Sequence, residues 1–182
     1  MTSSAKTRTT SPVAAKTREL IWQYPEQEGQ PFLLWDDGVK AGWLEFNELP
    51  AVSTAEFQGQ RWAFRYSDRL HPRITVHRGD SQEVFAEYVP SFTGGGMVSF
   101  DSGARYRWMR SDIWGARWCF RHVERKSSIC LSQEAGPLTQ GGRVSVCCGA
   151  ADLPETTVLL LLAWFLRIMD FEMLVEGIFR VG

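Results

Sequence analysis

Apolar and polar residues alternate along most of this chain, and near its end the alternation gives way to a run that is apolar throughout. In Arg61-Trp62-Ala63-Phe64-Arg65-Tyr66, a period of two puts Trp62, Phe64 and Tyr66 on one side and Arg61 and Arg65 on the other. Arg105-Tyr106-Arg107-Trp108 and Arg117-Trp118-Cys119-Phe120-Arg121 divide in the same way. Strand-like segments bounded by turn residues cover 19–24, 31–35, 41–46, 60–66, 73–77, 83–88, 96–100, 104–109, 117–123, 128–132 and 143–148. Residues 48–57 read as a loop or a helical turn, and Asp101-Ser102-Gly103 as a tight hairpin. The expectation is about eleven or twelve strands with no helix between them.

Residues 158–166 (Val-Leu-Leu-Leu-Leu-Ala-Trp-Phe-Leu) are nine consecutive apolar positions, which cover every side of a helix. A bilayer span needs about 20 such residues, and shorter runs are more often buried core helices. Extending this run to that length would take in Arg167, Asp170, Glu172 and Glu176, each costing about 2.5–3.5 kcal/mol near a bilayer centre. Asp152-Leu153-Pro154-Glu155 reads as a capping box, with Asp152 as N-cap and Glu155 at the third helical position. Gly177 reads as a terminator, and Arg167 and Asp170 stand three apart for an ion pair.

An all-apolar helix laid outside a sheet would expose half its surface. Strands closed around it bury both the helix and the inner sheet face, and leave no free edges. About eleven or twelve strands make a ring wide enough for a helix, whereas eight are filled by side chains alone. The expected fold is therefore mainly β: a closed antiparallel barrel of about 12 strands around a hydrophobic C-terminal helix at about 153–173.

Composition adds one domain and an uneven charge. The 182 residues carry a formal net charge of −1, which points to neither nucleic-acid binding nor an acidic tail. Residues 1–18 hold Lys6, Arg8, Lys16 and Arg18 without an acid, leaving 16 of the 20 basic residues against all 21 acids in 19–182. This Ser/Thr-rich segment has no apolar core of a secretory signal and reads as a disordered basic tail, with the cytoplasm as default compartment. Cys119, Cys130, Cys147 and Cys148 are then expected as reduced thiols.

Between Arg105 and Lys126 seven basic residues face only Asp112 and Glu124. With the aromatics turned inward, the arginines face out, either paired with Glu83 and Glu87 on neighbouring strands or presenting an electropositive face to anionic headgroups. The residues expected to carry lipid or anion binding are Arg61, Arg65, Arg105, Arg107, Arg117 and Arg121. RNA is not expected, because base stacking needs aromatics on the same exposed face as the cations.

Basic N-terminal segment, strand series and terminal hydrophobic helix together resemble the tubby-like superfamily, which includes tubby C-terminal domains, plant LURP-one-related proteins and phospholipid scramblases. The likeness covers residues 18–171 and is carried by Val-Leu-Leu-Leu-Leu-Ala-Trp-Phe-Leu-Arg-Ile-Met-Asp at 158–170 and the hairpin Phe-Asp-Ser-Gly-Ala-Arg-Tyr-Arg-Trp at 100–108. It implies a twelve-stranded barrel around its helix and recognition of phosphoinositide or other membrane lipid. The acidic calcium loop and cysteine-rich segment of scramblases are missing here, so scrambling is not expected.

Enzymatic motifs are weak. His71, His77 and His122 have no metal-ligand spacing, and Ser91-Phe-Thr-Gly-Gly-Gly96 lacks the lysine and helix of a phosphate-cradling loop. The reading is a non-enzymatic binding module, without cofactor or metal, on a membrane surface facing the cytoplasm. A calycin-like barrel carrying a small apolar ligand and a protein–protein scaffold are the alternatives.

Overall fold

The computed structural model describes residues 18–27, 29–48, 52–67, 72–92, 94–114, 116–125, 127–133, 141–147, 150 and 153–179, with side chains in the helix described as far as Met169. Twelve strands follow one another: β1 (Arg18–Gln23), β2 (Phe32–Asp36), β3 (Val39–Glu48), β4 (Val52–Phe57), β5 (Gln60–Ser67) and β6 (Arg73–Arg78). The second half comprises β7 (Val84–Pro90), β8 (Gly96–Phe100), β9 (Arg105–Arg110), β10 (Arg117–His122), β11 (Ser128–Gln133) and β12 (Gly142–Val146). Each pairs antiparallel with its sequence neighbours, and β1 closes the ring on β12 through pairs such as Leu20 with Val144. One helix, α1 (Thr156–Phe179), follows.

Period-two burial holds round the wall. Trp62, Phe64, Tyr106, Trp108, Trp118 and Phe120 all point inward and are at most 4% exposed, as the alternation predicts. The expected loop or helical turn at 48–57 is corrected: it contains β4, whose inner positions are Ser53, Ala55 and Phe57. Ser53 lies opposite Phe64 and Ala55 opposite Trp62, so small residues stand where bulky neighbours already fill the space.

The helix occupies the lumen. Val158 to Leu166 are each 5% exposed or less, so no side of the helix reaches solvent. α1 lies against β4 and against β10 and β11, and β4 and β10 are on opposite sides of a ring of twelve. Trp164 stacks on Trp22 at 5.6 Å between ring centroids and meets Tyr24 and Phe32 edge-on, while Phe165 stacks on Phe46 and Phe64. Gly142 of β12 makes room for this plug: a Cβ there would lie 2.5 Å from the Trp164 ring. Each buried leucine contributes about 1.5–3 kcal/mol. Among the described residues no helix is long and apolar enough to cross a membrane.

Several local expectations change. Arg18, counted with the basic tail, is the first residue of β1 and forms an ion pair with Asp36. Lys6, Arg8, Lys16 and Asp152 lie outside the described residues. Glu155 is not the third helical residue; its carbonyl accepts the Leu159 N–H at 3.0 Å, which makes it the N-cap. The helix continues through Gly177, and the Asp170 side chain expected to pair with Arg167 is outside the described ones. Cys119 and Cys130 are not free thiols but a disulfide, facing each other across β10 and β11 with Cα atoms 4.1 Å apart. Cys147 is free, and Cys148 and His71 are outside the described residues.

Candidate anion-binding site

The outer wall from β8 to β11 is built by alternation against the buried aromatics. Its outward positions are Met97 and Ser99, then Arg105, Arg107 and Met109, then Arg117, Cys119 and Arg121, then Ser128, Cys130 and Ser132. None is a carboxylate. Arg107 stands directly opposite Arg121 in the β9–β10 register. Like charges so placed destabilise a sheet unless something between them carries negative charge. Arg105 is one outward step further along β9, where its carbonyl accepts the Val123 N–H at 3.0 Å.

The six expected arginines do not form one site. Arg105, Arg107 and Arg121 are exposed and come together. Arg117 is exposed at the other end of β10, beyond Cys119. Arg61 and Arg65 are on β5, four strands away round the ring; Arg61 pairs with Glu56 at 3.3 Å and Arg65 donates to the Gln82 side-chain oxygen at 2.9 Å. The ion pairs among the described residues use Arg18, Arg61, Arg73 and Arg143. Glu87, an expected partner for the β9–β10 arginines, binds Arg73 at 2.8 Å instead. Among the described residues, therefore, the arginines of β9 and β10 face solvent without a carboxylate.

Arg105 also lines a cavity of about 370 Å³ at one end of the barrel, with Ser102, Tyr106, His122, Arg125 and Glu155. The β8–β9 hairpin, the β10–β11 turn and the start of α1 converge there. Glu155 is 7% exposed, and its Oε1 accepts the Ser102 hydroxyl at 3.0 Å. His122 Nδ1 accepts the backbone N–H groups of Glu124 and Arg125, both at 3.0 Å, so the proton of a neutral ring sits on Nε2. The ring packs edge-on against Tyr106 at 4.8 Å. Burial pushes the Tyr106 hydroxyl up to about 12, the Glu155 carboxylate adds to the rise, and Arg125 opposes it. At neutral pH the phenol is a donor. Phenol, imidazole N–H and two guanidinium groups thus give the cavity a surplus of donors, which suits an anion.

Sequence reasoning pointed to Arg105 here and missed the rest. Ser102 and Glu155 are 53 residues apart and meet only because the helix returns through the barrel. His77 is structural: buried, its Nδ1 is 3.0 Å from the Glu83 carbonyl and its Nε2 2.9 Å from the Thr75 hydroxyl. Among the described residues no three His, Cys, Asp or Glu side chains group to hold a metal ion. In comparisons with known proteins, no family model, no curated protein and no solved structure matches this chain.

Proposed function

We propose that this chain is a non-enzymatic binding module whose β9–β10 face docks on anionic membrane lipid, phosphoinositide headgroups included. The observation that carries the reading is the facing pair Arg107 and Arg121, without a counter-ion among the described residues, in a four-strand wall whose outward positions hold no acid. An anionic surface relieves that repulsion, and each basic side chain close to it contributes about 1 kcal/mol. Arg105 joins the wall to the donor-rich cavity and extends its cationic face. The lumen filled by α1 weighs against an interior carrier of apolar ligands.

Vesicle sedimentation tests this. The protein is expected to bind phosphatidylcholine vesicles containing phosphatidylserine or phosphoinositide, more weakly as salt rises, and to ignore pure phosphatidylcholine. Arg107→Glu with Arg121→Glu is expected to abolish the binding, and Arg61→Glu, four strands away, to leave it intact. Equal partitioning into neutral and acidic vesicles refutes the reading.

A further inference from the structure

The end of the barrel opposite the cavity carries two neighbouring loops, β7–β8 and β9–β10. On them Phe92 is fully exposed, Ile113 90% and Trp114 86% exposed. The loops adjoin because β8 pairs with β9, and Gly95 sits so tightly on the Trp108 carbonyl that a Cβ would collide with it. Single exposed apolar residues are ordinary, but three large ones on adjoining tips mark an interaction surface. The cations beneath them narrow the partner. Arg110 ends β9 and Arg117 begins β10, both exposed, and Arg110 lies 5.2 Å over the Trp118 ring. Arg117 shares the outward side of β10 with Arg121, whereas Arg110, opposite Trp118, lies at the rim on the inner side.

Apolar tips, an indole among them, above a cationic collar and a wall free of carboxylates match an anionic bilayer: rings and aliphatic groups suit the acyl boundary, guanidinium groups the phosphates. A protein partner would have to offer an apolar socket and a broad acidic field together. We infer that Phe92, Ile113 and Trp114 insert at the headgroup–acyl boundary of the facing leaflet of an anionic membrane, fixing the barrel with its β7–β10 loop end toward the lipid. The inference rests on the headgroup reading above and adds depth and orientation to it.

The test uses the whole chain with phosphatidylcholine–phosphatidylserine vesicles carrying a nitroxide quencher on the acyl chains. Part of the tryptophan emission of bound protein is expected to be quenched, and Trp114→Phe, still bound, to lose that part. Phe92→Ser with Ile113→Ser and Trp114→Ser is expected to lower vesicle affinity about tenfold or more. Its thermal midpoint should stay unchanged, since the three side chains are exposed. Bound protein without quenching, or a triple-serine variant that sediments like wild type, overturns insertion. If that variant binds normally while Arg107→Glu with Arg121→Glu does not, insertion falls and headgroup binding stands. Wild-type protein that ignores acidic vesicles overturns both.

Discussion

Tyr106 shows how a single residue ties the wall to the helix. Its hydroxyl ionises at about 12 in the folded protein against an ordinary value near 10, because the ring is buried and Glu155 stands close. The folded state therefore holds a proton that the unfolded chain releases between those values. Its stabilising contribution is complete below pH 10 and is lost as pH rises through 12. Denaturant midpoints measured across that window are expected to fall in wild type and to fall less in Tyr106→Phe; parallel profiles would assign the alkaline loss to other groups. Tyr106 was legible in the sequence as an inward aromatic between two arginines, but its partners were not. Glu155 read as a capping residue because capping is a local pattern, whereas its link to Ser102 depends on where the chain passes 53 residues earlier.

Strands with bulky inner residues announced themselves, and β4 did not. Period-two reading depends on contrast, and Ser53 and Ala55 supply little because Phe64 and Trp62 occupy their share of the interior. The cysteines failed for a related reason: opposition across a hairpin is a matter of register, and only a turn centred between Glu124 and Arg125 puts Cys119 opposite Cys130. Disulfides persist in oxidising compartments, so the pair bears on where the chain works, which the cytoplasmic expectation had placed with reduced thiols. Cys119→Ser with Cys130→Ser is expected to cost about 2–3 kcal/mol in urea unfolding, from the loop that the link closes. Wild type treated with reductant should match that variant, and an unchanged midpoint would show the link to be energetically idle.

Across the whole molecule, wall and helix form a single core. Inner aromatics from β1, β2, β3 and β5 meet Trp164 and Phe165, so neither the ring nor the plug keeps its dry surface without the other. Helical circular dichroism and tryptophan emission are expected to report one coincident unfolding transition. Leu161→Ala, at a position with no exposure, should lower stability by about 2–5 kcal/mol without dividing it, whereas two separated transitions would mean the barrel stands alone. This architecture was the most legible part of the sequence, because nine apolar residues in succession leave a helix no side to turn to water. The basic surface was half legible: composition showed too many arginines between 105 and 126, but only the strand pairing shows which of them crowd together.

The same arrangement dictates an order of assembly on the ribosome. The ring is sealed between its first and last staves, so Leu20 waits for Val144, and the filler is translated after both. Until the helix emerges, a dozen nascent segments display their inner apolar side chains with nothing to cover them. An intermediate exposed in this way is prone to aggregate, and the productive collapse is a late, long-range event.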